Sequence, residues 1–148
     1  MKISAYLPKP FQMEVSPDLT ITSPVPSVAT GKILSGFQEL QREQARRVAA
    51  GEPQIPADEA EIPGWPETTE GLARMILGDA EWERLVTLGA PELFISQASM
   101  CAVIYWVNGA SEEAVQIYLE ATSGKTTAPA APKGNRAQRR SKSGPATA

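Results

Sequence analysis

The sequence has 148 residues, no histidine and a single cysteine, Cys101. This length suits one domain with a modest core. One cysteine cannot form a disulfide within the chain, and without histidine the usual zinc ligand sets are excluded. A cysteine nucleophile would lack its histidine partner, so Cys101 is predicted to be a small buried apolar residue. We find no paired catalytic arrangement and no cofactor motif, and we predict that the protein is not an enzyme.

The formal net charge of −3 is unevenly distributed along the chain. All 17 acidic residues lie at or before Glu120, whereas six of the 14 lysines and arginines follow Thr122. This asymmetry predicts an acidic folded unit with a basic C-terminal arm. The N-terminus has no long apolar segment typical of a signal peptide, which favours a cytoplasmic protein.

Residues 1–26 are rich in proline and contain two short alternating segments. The segments Phe11–Val15 and Leu19–Thr22 flank a Ser-Pro-Asp turn signal, which predicts a β-hairpin. Phe11, Met13 and Val15 would share one face of it. The alternative is an extended, poorly ordered arm, because prolines are disfavoured inside sheets.

Residues 27–122 are predicted to form a helical domain that begins with one long helix. Ser27 suits the N-cap and Gly51 the C-terminal stop. The acidic, proline-rich segment 52–66 is predicted to be a solvated linker, with Trp65 packing its end onto the core. Its carboxylates lack the spacing of a calcium-binding loop.

Three short helices and one apolar helix follow the linker. The short ones are predicted over residues 67–77, 80–88 and 111–121, the second with Asp79 as its cap and with Trp82, Leu85, Val86 and Leu88 on its apolar face. Residues 100–107 are apolar without interruption. This run is too short to span a membrane, and its flanks, Pro91 and Gly109, favour a central buried helix.

Residues 123–148 contain no Leu, Ile, Val, Phe, Tyr or Trp. Such a segment buries too little apolar surface to offset the entropy of ordering, so we predict a disordered basic tail. The predicted fold class is therefore mainly α, a small domain of four to five helices with an N-terminal β-hairpin and this tail. Candidate partner-binding residues are two large aromatics and three basic tail residues: Trp65, Trp82, Arg136, Arg139 and Arg140.

The short helices joined at Gly78-Asp79 and after Gly109 invite comparison with a helix-turn-helix. A recognition helix needs exposed basic and amide side chains. The candidate second helices, EWERLVTL and EEAVQIYLEA, are acidic and would repel phosphate. We therefore predict that the body does not bind nucleic acid.

Four features follow one another along the chain. They are the N-terminal stretch SPDLTITSPVPSVATGKIL, the acidic helix GDAEWERLVTLGAP with its GD-x-x-aromatic-x-x-L…G-x-P pattern, the apolar helix ending IYWVNG before an Ala-rich helix, and a low-complexity tail containing NRAQRR. In this order they resemble the tail assembly chaperones of long-tailed, siphovirus-type phages of actinobacteria. Together they cover most of the chain outside the acidic linker.

The resemblance implies a non-enzymatic role in the host cytoplasm during tail assembly. Proteins of this family bind the long, aggregation-prone tape measure protein, assist polymerisation of the tail-tube protein around it, and leave before the virion is complete. Many have a longer second product made by ribosomal frameshifting. Gly124-Lys125 and Pro132-Lys133 permit codons that would allow such a shift.

Two other functions remain open from the sequence. One is a nucleic-acid-associated accessory protein that acts through its basic tail, with Lys133, Arg136, Arg139, Arg140 and Lys142 as the contacting residues. The other is a small structural adaptor that stays in the virion. For the chaperone, the small helical body would offer an apolar surface to helices of a client, with the amphipathic face of each helix lying in a groove.

Overall fold

The computed structural model describes residues 1–123 and begins with a short 3-10 turn, Ser4–Tyr6, before a β-hairpin. Strands β1 (Phe11–Ser16) and β2 (Leu19–Ser23) pair antiparallel, with a register irregularity between Glu14 and Ser16. An isolated hairpin is only marginally stable in water. This one is stabilised because Phe11 and Ile21 are buried beneath the helices.

The described chain after the hairpin is mainly helical and confirms the predicted fold class. Its five α-helices are α1 (Val28–Ala50), α2 (Thr69–Leu77), α3 (Asp79–Leu88), α4 (Glu92–Val107) and α5 (Glu112–Thr122). The predicted disordered tail falls outside the described residues.

Local capping residues fix the ends of α1 and α5. The Ser27 hydroxyl accepts a hydrogen bond from the Thr30 amide at 3.2 Å, and the Ser111 hydroxyl accepts one from the Ala114 amide at 3.0 Å. At the other end of α1, Gly51 adopts the left-handed conformation with φ 75°. A residue without Cβ takes this conformation at little cost, so the helix stops there.

Helix α4 occupies the centre of the molecule, as its apolar sequence predicts. It contacts both strands as well as α1, α2 and α5. Ala102 and Val103 are fully buried on it, and the buried Ser99 donates its hydroxyl hydrogen to the Ile95 carbonyl at 2.7 Å. The helix is therefore covered on most sides, and its one deeply buried hydroxyl is satisfied within the helix.

A buried polar chain joins the hairpin to the helices. The Trp106 indole donates to the Ser23 hydroxyl at 3.0 Å, and that hydroxyl donates to the Ile76 carbonyl at 2.7 Å. Since Ser23 is fully buried, these bonds offset the cost of removing its hydroxyl from water. They also fix β2 against α2 and α4.

The acidic linker is exposed over most of its length, as predicted, but it is also attached to α1. Its carboxylates are exposed, as expected. The Gln44 side chain donates to the Ile55 carbonyl at 2.9 Å and accepts from the Ile55 amide at 2.8 Å. Trp65 then stacks on Phe37, with ring centroids 5.2 Å apart. The linker therefore forms a strap that runs back along α1.

Helix α3 differs from its prediction in two respects. Leu85 is fully buried and Trp82 half-buried, but Val86 is 51% exposed and Leu88 58% exposed, so the predicted apolar face was too wide. Only one narrow side of this short helix reaches the core. Its N-cap is Gly78, and Asp79 instead accepts a hydrogen bond from Arg74 at 3.0 Å.

Candidate functional site

An open groove runs between β1, the N-terminal half of α4 and α5. It encloses about 760 Å³, within the size range of pockets that hold small ligands or short peptide segments. Phe11 anchors its β1 wall, because the ring stacks on Tyr105 of α4 with centroids 3.8 Å apart and planes 3° from parallel. The wall is therefore held rigidly against the central helix.

The floor of the groove is apolar, and apolar side chains also stand exposed beside it. Ala98, Cys101 and Val115 are buried at its base. Leu93 is 72% exposed and Leu119 37% exposed at its margins. A surface of this kind, with exposed leucines beside an apolar floor, is typical of a protein interaction site.

The rim of the groove is acidic. Glu14 on β1 and Glu112 and Glu120 on α5 line it, and all three are exposed. Among the described residues, no lysine or arginine lines the groove. The local field therefore favours a partner with basic side chains beside its apolar ones.

The outer edge of β2 is closed by two side chains of α3. The Thr22 amide donates to Glu81 Oε2 at 2.9 Å, and Arg84 donates to the Thr20 carbonyl at 2.7 Å. Glu81 and Arg84 also form an ion pair at 2.7 Å. Burial alone would raise the pKa of Glu81, but the hydrogen bonds from Arg84 and Thr22 outweigh it and lower that pKa.

The outer edge of β1 is open. Gln12 and Glu14 lie opposite Thr22 and Thr20, whose backbone groups point away from the hairpin. In an antiparallel ladder, a residue whose backbone points outward faces a partner that also points its N–H and C=O groups outward, on the opposite edge. Within residues 1–123, these groups of Gln12 and Glu14 have no hydrogen-bond partner.

The groove follows this open edge. Five consecutive β1 residues, Phe11 to Val15, line it, whereas a surface touching only one face of a strand would meet alternate residues. The site thus combines unpaired backbone groups, an apolar floor and carboxylates. These are the means of binding a peptide segment.

Cys101 is the one nucleophilic thiol in the chain, and the structure places it in the groove floor. Burial raises the pKa of its thiol to about 11. Thiolate, the reactive form, is therefore scarce at neutral pH. Within residues 1–123, no cluster of three or more Cys, Asp or Glu side chains is placed to hold a metal ion.

The two predicted partner-binding tryptophans lie outside the groove. Trp65 holds the strap to α1 through Phe37, and the Arg74 guanidinium carbon lies 5.9 Å from the ring centroid of Trp82. Both rings pack against the main core and remain partly exposed. The basic candidates Arg136, Arg139 and Arg140 lie outside the described residues.

Sequence reasoning missed the groove and its lining residues. Leu93 and Leu119 lie in apolar helical sequence, and nothing in the helical periodicity separates a core position from a groove margin. The alternation in FQMEV predicts the two faces of β1 but not which hairpin edge is open. Only the packing of Glu81 and Arg84 on β2 decides that, and these residues are about 60 positions away along the chain.

Comparison of the chain with protein family models, with curated proteins and with solved structures gave no match. Of the helices in residues 1–123, none has the length and apolar character needed to cross a bilayer.

Proposed function

We propose that this protein is a tail assembly chaperone of a long-tailed phage. It binds the tape measure protein in the host cytoplasm, assists assembly of the tail tube around it, and is absent from the finished virion. The role is non-enzymatic. The groove between β1, α4 and α5 supports the binding activity, and the sequence resemblance supports the choice of client.

The groove carries this proposal because it combines a means of binding with a means of release. Leu93 and Leu119 offer apolar contact to an aggregation-prone segment. The surrounding carboxylates keep the free surface hydrated and add attraction that weakens with salt. A shallow, open site of this kind suits a partner that must later leave.

The acidic body disfavours nucleic-acid binding by residues 1–123. Residues 1–123 contain eight lysines and arginines against 17 aspartates and glutamates, a net charge of −9. Such a surface repels phosphate and remains soluble at high concentration. The body is therefore suited to a protein client.

The test is a tagged pull-down of the full chain from phage-producing cells, followed by mass spectrometry of the captured proteins and of purified particles. Expected results are capture of the tape measure and tube proteins and absence of this chain from particles. Recovery of nucleic acid alone would instead support the accessory protein. Stoichiometric copies in the particle would support the structural adaptor.

Groove variants make this test specific. Leu93→Glu adds a charge at an exposed groove margin, and we expect it to reduce client capture roughly tenfold, about 1.4 kcal/mol. Leu88→Glu is the matched control, because Leu88 is similarly exposed but lies on α3, outside the groove. Equal loss in both variants would contradict the assignment of the groove.

A further inference from the structure

We propose that the client segment binds as an extended strand along the open edge of β1, as a third strand of the sheet. The segment alternates apolar side chains, which enter the groove, with basic side chains, which lie beside Glu14. This inference deepens the proposed function and depends on it only for the identity of the client.

The first argument is the unpaired backbone of β1. Gln12 and Glu14 present outward N–H and C=O groups that have no partner within residues 1–123. An added antiparallel or parallel strand would pair with them at the usual spacing of about 4.8 Å. A helix would leave these groups without direct partners, since its own backbone bonds are internal.

The second argument is the asymmetry of the hairpin. The β2 edge is closed by Glu81 and Arg84 of α3, whereas the β1 edge borders the groove. Exposed strand edges are usually blocked because they invite pairing with other chains. Here one edge is blocked and the other is left open beside an apolar floor, which marks the second edge as a docking site.

The third argument is the alternation of β1 side chains, which specifies the partner. Phe11 and Met13 pack towards the helices, whereas Gln12 and Glu14 are exposed. Side chains on an added strand would follow the same two faces. Its inward positions would meet Val115 and Leu119, and its outward positions would lie beside Glu14, where a lysine or arginine is favoured.

Two occupants closer at hand fit less well. Residues 124–148 of this chain are basic but contain no Leu, Ile, Val, Phe, Tyr or Trp to fill the apolar floor. A second copy would bring another Glu14 and another body of net charge −9 to an acidic rim. The chemistry therefore points to a separate partner with apolar and basic residues.

The test compares two synthetic peptides of identical leucine and lysine composition against the full-length protein. One peptide alternates the two residues and favours a strand, and the other spaces its leucines at i, i+3, i+4 and i+7 and favours a helix. We expect fluorescence anisotropy to show binding of the alternating peptide at least ~10-fold tighter, a margin of about 1.4 kcal/mol. Equal binding, preference for the helical peptide or no binding would overturn the proposal.

Amide hydrogen exchange on the wild-type protein tests the geometry directly. Saturation with the alternating peptide is expected to slow exchange at the Gln12 and Glu14 amides, because the added strand accepts their hydrogens. Unchanged exchange at both amides in the saturated complex would overturn strand addition whatever the affinity.

A proline variant separates the contribution of the Gln12 backbone N–H to binding from that of its side chain. Gln12→Pro removes an outward N–H while leaving the hydrogen bonds between β1 and β2 in place, as edge strands permit. We expect it to weaken binding of the alternating peptide at least ~10-fold, whereas Gln12→Thr, which keeps the N–H, stays within ~2-fold. Equal affinities of the two variants would contradict the proposal.

Charge reversal provides a second variant should Gln12→Pro fail to fold. Glu14→Lys is expected to weaken binding of the leucine–lysine peptide and to strengthen binding of an alternating leucine–glutamate peptide. Absence of this reversal would count against the predicted pairing.

The peptide experiments and the pull-down can refute the strand site and the chaperone function separately. If wild type and Gln12→Pro capture the tape measure protein equally, the chaperone function stands and strand addition is wrong. If neither captures it but the alternating peptide binds with protection of Gln12 and Glu14, the strand site stands and the assigned client is wrong. Dimers that form through β1 and disappear in Gln12→Pro would replace the client with a second copy and overturn the proposal.

Discussion

At the scale of single residues, Cys101 shows how burial sets reactivity. Its thiol lies in the floor of the groove, and its pKa is about 11, against an ordinary value near 9.0. We predict that iodoacetamide alkylates Cys101 of the native protein at pH 7.5 at least ~100-fold more slowly than in the unfolded chain, because two pKa units alone reduce the thiolate about a hundredfold.

Mass spectrometry of samples quenched over time measures this rate, with unfolded protein in guanidinium as the reference. Comparable rates in the two states would contradict the assigned burial. A bound peptide that fills the groove should slow native alkylation further, since Cys101 lies beneath it.

Glu81 gives the protein a predictable response to acid. Its pKa is lowered in the folded state, so the stability it contributes is present above the unfolded value, near 4.5, and is lost as pH falls through the folded pKa. We therefore predict that Glu81→Gln flattens the decline in melting temperature below about pH 4.5. The control, Glu39→Gln, changes an exposed carboxylate of α1 and should leave the decline unchanged.

The same carboxylate also holds the hairpin. Its side chain is only 14% exposed and accepts hydrogen bonds from the Thr22 amide and from Arg84. We predict that Glu81→Ala lowers the free energy of unfolding by about 1–3 kcal/mol, the cost of leaving such groups without partners. Urea unfolding measures it, and a change below about 0.5 kcal/mol would contradict the role assigned to Glu81.

At the scale of secondary-structure elements, side chains of Gln44 and Arg47 attach the strap to α1 by hydrogen bonds. Gln44 bonds to both the amide and the carbonyl of Ile55. We predict that Gln44→Ala destabilises the protein by about 1–2 kcal/mol and accelerates proteolysis within residues 52–61. Limited digestion read by mass spectrometry tests this, with Gln41→Ala, an exposed neighbour on α1, as the control.

Elements were predictable where their signals are local. Ser27 and Ser111 cap the N-termini of α1 and α5, and Gly51 stops α1. Each does so through hydrogen bonds within a few residues, so these helix boundaries follow from the sequence. The burial of α4 follows from its unbroken apolar run. The packing of Trp65 at the end of the strap was predicted, but the hydrogen bonds from the strap to α1 were not, because they join residues with no shared periodicity. The exposure of Val86 on α3 depends on how that helix is rotated against its neighbours, which its own sequence leaves undetermined.

The candidate site was less predictable than the elements that form it. The sequence indicates that β1 has an apolar and a polar face, which the structure confirms for Phe11 and Met13. Which edge of the hairpin stays open depends on α3, and the groove depends on the distance between β1 and α5. Both are properties of the assembled fold. The two tryptophans offered as binding residues pack against the core outside the groove, and their part in binding stays a prediction.

At the scale of the whole molecule, the described residues form two hydrophobic clusters of buried side chains. These clusters extend from Phe11 to Val115 and draw in Tyr118. We predict that removing residues 124–148 shifts the melting temperature by less than about 2 °C, because this segment has no Leu, Ile, Val, Phe, Tyr or Trp side chain to bury. Differential scanning calorimetry of full-length and truncated proteins measures this, and a large fall would show that the tail contributes to the fold.

The central position of α4 also governs the order in which the chain can fold during synthesis. The ribosome makes β1, β2, α1 and α2 first, and each of them packs against α4, which it makes only later. Until then Ile21, Leu34 and Ile76 lack the apolar partner that buries them. The nascent chain therefore exposes these apolar residues until α4 has been synthesised, and exposed apolar surface of this kind favours aggregation.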